Sequence, residues 1–294
     1  MNTEQVGRNA TPVFGDRWTR RMGRAVLRPF CPVDEVDRAI ALGAALQRST
    51  VTGRRIVVDD LGTGADAAVV AALMARALAH FRHDRLLAVD ATGREPSLAT
   101  RLGAAEPGNL VRADATSFET ACGELGEAAD RLWTARADPA DADAYRSGLL
   151  PVSRFFGVTL VVGEHGGGFL DSVAPGAHAQ VRVVRATRDA VVRVGRELDV
   201  MAAEGRAREA ERTVVVVFDQ ERGEDRGLDV ASTAKIISES GAKVIALPHD
   251  RHLAQGTAVV PRRIAESTHR LVQTVAAAAL DRAIDSGPST GSGR

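Results

Sequence analysis

Three residue types are scarce in this sequence. Its 294 residues include only two lysines, Lys235 and Lys243, although lysine and arginine together number 38. Two cysteines, Cys31 and Cys122, are too few for a disulfide framework, so we expect free thiols in a reducing compartment. Aromatic residues make up 4% of the chain, which argues against a surface that stacks on nucleic-acid bases.

Neither charge nor hydropathy indicates a nucleic-acid partner or a membrane span. The 38 basic and 38 acidic residues cancel to a formal net charge of 0, so no global charge attracts a polyanion. No apolar run reaches transmembrane length and no signal peptide is recognisable, so a cytoplasmic location is expected. A hydrophobic content of 45% is ample for the core of an α/β protein.

The stretch at 54–90 organises the chain. A β-branched run at 56–58 leads through a glycine turn into an Ala-rich segment, 67–78, that suits a helix, and a second apolar run ends at Asp90. Strand, glycine turn, helix and strand form the βαβ unit of nucleotide-binding domains, whose turn offers backbone N–H groups to phosphate. A working phosphate loop also needs a lysine and a Ser or Thr at the start of the helix. Ala67 and Ala68 stand there instead.

Apolar runs alternate with helical stretches in the rest of the chain. Strands that are apolar throughout and separated by helices predict an α/β fold with a doubly wound, mostly parallel sheet and helices on both faces. The domains are predicted as a helical, partly basic arm (1–50), the α/β domain (51–285) and a disordered tail (286–294). The further strands are predicted at 109–112, 158–162, 181–184, 213–218 and 243–247, and helices at 34–47, 116–133, 189–203, 229–240 and 261–284.

The N-terminal arm combines apolar and basic residues. Trp18, Met22 and Val26 recur at helical spacing, with arginines between them. Such a helix lies on a membrane surface or on a partner, or packs on its own domain with a solvated arginine face. A peripheral membrane contact would use Trp18 with Arg17, Arg20, Arg21 and Arg24.

The chain at 18–282 resembles the MinD/ParA-like P-loop ATPases of actinobacteria (deviant Walker, SIMIBI class), especially MinD-like proteins found with type VII secretion systems. The family loop K-G-G-V-G-K-T-T falls on 62–69, read here as GTGADAAV. The resemblance implies that Gly62 replaces the lysine that reaches a dimer partner's nucleotide. Ala67 replaces the phosphate lysine, and Ala68 replaces the magnesium threonine.

Other family segments match further along the chain. The segment V-D-A-N-P-D matches 89–94, which keeps Asp90 but has Arg94 where the family has its switch acid. The segment D-C-G-T-G matches 164–168, where Glu164 retains an acid. The closing I-P-F-D-P-H-L-A-E-G resembles 247–256, including Pro248, and Asp219 stands where the family often has an Asn that reads the base.

Carboxylates surround the loop. Asp59, Asp60 and Asp66 flank or enter it, so we expect them to repel a triphosphate. Together with Asp90 and Glu164 they are expected at the carboxyl ends of parallel strands, either as a solvated acidic rim or as a site for a hard divalent cation. Arg94 is a candidate to neutralise one of these acids.

The histidines give weak signals. His249 and His252 have the spacing of metal ligands, but no cysteine or third ligand is near, so a role in loop packing is favoured. His165 is interpreted as a hydrogen-bonded structural residue rather than a catalytic base. No metal site and no catalytic residue is predicted.

These observations predict a pseudo-ATPase, a protein-binding scaffold or regulator in secretion, polarity or cell-envelope organisation, without a cofactor. The expected partner is a protein, including a second copy or a paralogous ATPase, and no nucleic acid is expected. The alternatives are an ATPase with an atypical loop that binds ATP and Mg, and an adaptor recruited to the membrane by the basic arm. The residues of the predicted degenerate nucleotide site are Gly62, Thr63, Gly64, Ala65, Asp66, Ala67, Ala68, Asp90, Glu164, Asp219 and Pro248.

Overall fold

Strands in the described part of the chain form one sheet. The computed structural model describes residues 33–110, 116–223, 225 and 227–286. The strand order is β3-β5-β2-β6-β1-β7-β8-β9, all parallel, and β4 pairs antiparallel with β5. The strands are β1 (Arg54–Asp59), β2 (Leu86–Ala91), β3 (Gly108–Asn109), β4 (Gly126–Ala129), β5 (Leu132–Arg136), β6 (Val158–Gly163), β7 (Ala179–Arg185), β8 (Thr213–Phe218) and β9 (Lys243–Leu247).

Helices cover both faces of this sheet, as the sequence predicts. None of the helices in the described residues is long and apolar enough to cross a bilayer. The α-helices are α1 (Val33–Leu46), α2 (Ala67–Phe81), α3 (Leu98–Leu102), α4 (Phe118–Gly123), α5 (Ala142–Val152), α6 (Phe169–Val173), α7 (Arg188–Ala203), α8 (Ala207–Glu211), α9 (Val230–Ser238) and α10 (Glu266–Asp285).

Alternation along the buried strands divides the core between the two faces. In β1, Ile56 and Val58 face a cluster built mainly from α2 and α10, whereas Val57 faces α5 and α6 on the other side. A third cluster joins α7 and α9 to the same sheet. A strand buried on both faces needs apolar residues on both, which is why β6 and β8 are apolar at nearly every position, whereas β7 carries the buried polar residues Gln180 and Arg182.

The predicted helix at 116–133 is wrong. The structure has the short helix α4, followed by the hairpin of β4 and β5. Gly123 and Gly126 weaken a helix at this point, and Arg131 turns the chain with a left-handed φ of 60°. Leu132 and Trp133 then pair with β2. The Pro/Asp/Ala-rich sequence at 136–148 predicts an exposed loop, but its residues 142–148 form the first part of α5.

Helix α1 packs along α10. Leu46 is fully buried, and Arg48 pairs with Asp281 at 2.7 Å and with Asp285 at 2.9 Å. This part of the predicted arm therefore covers the main domain. The predicted helix around Trp18, the end of the predicted strand at 109–112 and the predicted tail beyond 286 lie outside the described residues.

His178 precedes β7 at the amino edge of the sheet. Its Nδ1 accepts a hydrogen bond from the backbone N–H of Arg55 at 3.1 Å. Burial, with the nearby charges of Arg54, Arg55 and Arg212, lowers the pKa of His178 from 6.5 to about 4. The imidazole is therefore neutral in the folded protein at pH 7.

We expect the free energy of unfolding to decrease as the pH falls from 6.5 to about 4, because the unfolded chain binds a proton at His178 that the folded chain does not. The side chain is only partly buried, so the expected loss is about 1–2 kcal/mol. Urea denaturation across this range measures it. His178→Asn should reduce the pH dependence, and His83→Asn, at an exposed histidine, should leave it unchanged. Equal slopes in all three proteins would contradict this assignment.

Candidate functional site

The loop between β1 and α2 lies at the carboxyl edge of the sheet. Strand β6 pairs with both β1 and β2, so the ends of these three strands meet. Asp90 and Glu164 therefore reach the same edge as the loop, as the sequence analysis expected. Ala67 and Ala68 form the first turn of α2, and both side chains are buried.

The carboxylate of Asp60 fills the inside of this loop. Its Oδ1 accepts a hydrogen bond from the N–H of Gly62 at 3.0 Å, and its Oδ2 accepts one from the N–H of Gly64 at 3.1 Å. Thr63 donates through its N–H and its hydroxyl to the Asp60 carbonyl oxygen at 2.9 and 2.7 Å. Backbone N–H groups of a glycine turn are the donors that hold phosphate in P-loop sites. Here they bind a carboxylate of the chain itself.

Leu61 keeps the loop in this shape. It has a left-handed φ of 49°, followed by 66° at Gly62. A leucine pays about 1–2 kcal/mol for this conformation. Its side chain is buried in the cluster that includes Val184 and Val217, and its N–H donates to Oδ1 of Asp59 at 2.9 Å. These contacts offset the strain and hold the turn around Asp60.

Asp66 caps the amino end of α2. Its Oδ1 accepts a hydrogen bond from the N–H of Val69 at 2.8 Å, and its other oxygen pairs with the buried guanidinium of Arg101. Its own N–H donates to the side-chain oxygen of Gln220 at 2.9 Å. The helix terminus that would face a phosphate is therefore occupied by a capping carboxylate with its own counterion.

Asp59 forms a buried ion pair with Arg182 on β7. Asp59 as a whole is 1% exposed. Burial raises the pKa of Asp59 above its usual range, and the Arg182 charge opposes that rise. This pair joins the end of β1 to the neighbouring strand.

Arg94 lies between two acids. Its Nε pairs with Glu164 after β6, and its Nη1 lies 3.7 Å from Oδ2 of Asp60. Asp90 shapes the loop that follows β2. Its Oδ1 accepts hydrogen bonds from the N–H and the hydroxyl of Thr92, and its Oδ2 accepts one from the N–H of Leu98. Arg94 thus links the loops after β1, β2 and β6 through charge.

The expectation of a solvated acidic rim is wrong, because Asp59, Asp60 and Asp90 are buried, whereas Arg94 does pair with one of the acids, Glu164. Asp59, Asp66 and Glu164 each pair with an arginine, and Asp60 has Arg94 nearby. The loop is closed to a phosphate by occupancy rather than by net negative charge. Sequence reasoning missed Arg101, Arg182 and Gln220. Of these three, only Arg182 could have been recognised from the sequence. It is a charged residue inside the apolar run VRVV, and a buried charge of this kind indicates a partner on a neighbouring strand.

A cleft of about 430 Å³ opens beside Asp66. It is lined by Gln220 and His249, among others, whereas Asp219 accepts a hydrogen bond from the N–H of Gly223 at 2.7 Å and so shapes its own loop. Pro248 is exposed. Gln220, next to the position that the family resemblance selected, therefore lines the cleft, and Asp219 does not.

The histidines pack their loops. Nδ1 of His249 lies 3.0 Å from the carbonyl oxygen of Gln220. Nε2 of His252 accepts from the N–H of Val260 at 2.8 Å, and burial lowers the pKa of His252. His165 is exposed. Across the described ranges, no three His, Cys, Asp or Glu side chains are placed to hold a metal ion.

The loop does not fit a magnesium-bound triphosphate in this conformation. A phosphate would have to displace Asp60 from two N–H groups and Asp66 from the end of α2. Neither lysine compensates, because Lys235 lies on α9 and Lys243 on β9, an edge strand that β7 and β8 separate from β1. No step of a nucleotide reaction is therefore derived from these residues.

Comparison with known proteins supports the fold. No protein-family model and no curated protein matches the sequence. The structure is similar to a ParA family ATPase from Chlorobium tepidum (TM-score 0.58, 15% identity, 76% of this chain and 98% of that chain). It is also similar to MinD in a MinC:MinD cell division complex from Aquifex aeolicus (0.56, 17%, 76% and 94%) and to the cell division ATPase MinD of Pyrococcus furiosus (0.56, 17%, 76% and 98%). The chain therefore has the fold of the ParA and MinD ATPases.

Proposed function

We propose that this chain is a catalytically inactive MinD/ParA-like protein of the kind associated with type VII secretion. It acts as a protein-binding scaffold or regulator in secretion, polarity or cell-envelope organisation. The carboxylate of Asp60 carries the proposal, because it accepts hydrogen bonds from Gly62 and Gly64. Because the N–H groups of Gly62 and Gly64 already hold an anion of the chain itself, they are not available to a transferred phosphate.

The groups that would hold magnesium support the same conclusion. The enzyme alternative gives this role to Asp90 and Glu164. Both oxygens of Asp90 already accept hydrogen bonds, and Glu164 is paired with Arg94. A cation held by Glu164 would have to displace the Arg94 guanidinium that already pairs with this acid.

A protein partner is the proposed ligand. One similar structure is a complex of MinD with MinC, and we extend the property of binding a partner protein to this chain. A second copy of the chain and a paralogous ATPase belong to the same proposal. Membrane recruitment through Trp18 is a separate alternative. Liposome co-sedimentation that is unchanged on deletion of 1–30 would exclude it.

A nucleotide-dependent thermal shift tests the proposal. A ligand present at about 100 times its Kd stabilises a protein by about 2.7 kcal/mol, or roughly 5 °C. We expect Mg-ATP at millimolar concentration to leave the melting temperature unchanged within about 1 °C and to release no phosphate. A shift of several degrees with phosphate release would establish the enzyme alternative.

A variant of Asp60 tests whether its carboxylate is what keeps phosphate out of the loop. Asp60→Ala frees the N–H groups of Gly62 and Gly64, so pyrophosphate should raise its melting temperature but not that of the native protein. Asp141→Ala is the matched control, because Asp141 is an exposed helix cap outside the site. If pyrophosphate affects neither the native protein nor Asp60→Ala, occupancy is not what closes the loop.

A further inference from the structure

A groove of about 460 Å³ lies between α2, the start of α10 and the turn between β4 and β5. We call it the α2–α10 groove. Its size is within the roughly 300–1,000 Å³ of sites that bind ligands. Its lining is mainly apolar. The apolar side chains along it include Leu73, Ala77, Phe81, Ala129, Ile264 and Val272.

Arg76 is the main charge in this lining. Its Nη2 donates to the carbonyl oxygen of Leu102, at the end of α3, at 2.5 Å, while its buried Nε has no hydrogen-bond partner. Within the part of the chain that the structure describes, no carboxylate pairs with Arg76. A half-buried guanidinium without a counterion favours an anionic group from another molecule.

The other polar groups at the groove add no net negative charge. Asp130 pairs with Arg131 at 3.2 Å. His80 is exposed at the rim, and Nε2 of His269 lies 2.8 Å from the carbonyl oxygen of Pro261. The groove therefore combines an apolar lining with an excess of positive charge. An apolar ligand that also carries a carboxylate complements it.

Helix α1 shows how such a ligand packs on the same layer. Its Leu42 and Ala45 pack against the core beside α10, and its Glu35 pairs with Arg270. An apolar helix face with one carboxylate directed at an arginine thus already covers one side of α10. The groove is bounded by the next side of α10 together with α2.

We propose that the α2–α10 groove binds an amphipathic helix of a partner protein, with a carboxylate of that helix paired to Arg76. This inference rests on the proposed scaffold function and assigns it a surface. The partner helix would place apolar residues at i, i+3, i+4 and i+7 along the groove. The pairing of its acidic residue with Arg76 would fix the position of the partner helix along the groove.

Site-specific cross-linking identifies the segment that occupies the groove. Photoreactive benzoylphenylalanine is placed at His80 in the full chain and, as a control, at Val192, an exposed residue of α7 on the opposite face. After irradiation in the native host, we expect an adduct from His80 and none from Val192. Peptide mapping should locate the adduct in an amphipathic helix that contains Asp or Glu. No adduct, equal adducts at both positions or a lipid adduct would overturn the proposal.

Charge variants at one position then test the contact. A labelled synthetic peptide of the mapped segment is the probe, and anisotropy measures its Kd. Gln273 lies at the groove. Gln273→Glu should weaken binding and Gln273→Lys should strengthen it, each by about two- to fivefold. Arg76→Gln should weaken binding about tenfold. Changes of the same sign for Glu and Lys would overturn the proposal even if Arg76→Gln failed to fold.

Phosphate release from the same preparation separates the two proposals. If ATP is hydrolysed and Gln273→Glu and Gln273→Lys change the peptide Kd in opposite directions, the inactive scaffold is rejected and the groove contact is kept. Absence of turnover combined with no effect at Gln273 would reject the groove and leave the scaffold proposal in place.

Discussion

We expect the double substitution Ala67→Lys with Ala68→Thr to release no phosphate from ATP. These changes restore the two side chains that a phosphate loop uses, but Asp60 still occupies the N–H groups of Gly62 and Gly64. Both alanines are buried, so the longer side chains also disturb the packing of α2. Since each missing donor in such a site costs on the order of 10²- to 10³-fold in rate, two repairs are not enough.

A staged series measures each contribution. Asp66→Gly is added first and Asp60→Ala second, with phosphate release, nucleotide binding and circular dichroism recorded at each stage. We expect no turnover at any stage and weak nucleotide binding only after Asp60 is removed. A lysine at Gly62 would be strained, because Gly62 has a left-handed φ of 66° and Nη1 of Arg193, 2.9 Å from a Cβ placed there, would have to move. Clear turnover by the double variant alone would refute the account of the loop.

The second large effect is expected at the Asp59–Arg182 pair. Arg182→Met leaves the Asp59 carboxylate buried without a counterion, which should lower the free energy of unfolding at pH 7 by about 3–5 kcal/mol. The double variant Asp59→Asn with Arg182→Met should recover much of this loss. Arg146→Met is the control, because Arg146 forms an exposed pair with Asp143 and should cost less than about 1 kcal/mol.

The pH dependence of Arg182→Met identifies the cause. Without Arg182, burial raises the pKa of Asp59 further above 3.8, so the folded variant holds a proton more tightly than the unfolded chain. The free energy of unfolding should therefore recover as the pH falls from 7 through the raised pKa, with no further gain below about 4. Urea denaturation at a series of pH values measures this recovery. A variant that is destabilised equally at pH 7 and pH 4.5 would show that lost packing, not the buried charge, is responsible.

The parallel sheet could be predicted because its signal is local. The runs at 158–162, 213–218 and 243–247 each contain several successive apolar residues, and the structure has strands at all three. The hairpin of β4 and β5 could not be predicted, because Leu125 and Leu132 have a spacing that also suits a helix. The choice depended on pairing with β2, which is distant in sequence.

The candidate site was only partly predictable. The absence of a lysine and a hydroxyl at Ala67 and Ala68 is a property of the sequence, and so is the density of acids around the loop. Which groups those acids bind cannot be read from the sequence. Asp60 binds the N–H groups of its own turn only because Leu61 and Gly62 adopt left-handed φ values, and a buried leucine does so under tertiary constraint.

The sequence by itself determined the apolar strands, the helix starting at Ala67 and the absence of phosphate-loop chemistry, because each is encoded within a few neighbouring residues. The tertiary structure decided which charges are neutralised. Arg182 reaches Asp59 because β7 lies beside β1, and Gln220 reaches Asp66 from beyond the end of β8. The order of strands in a sheet brings these groups together, and that order follows from long-range packing that no local pattern specifies.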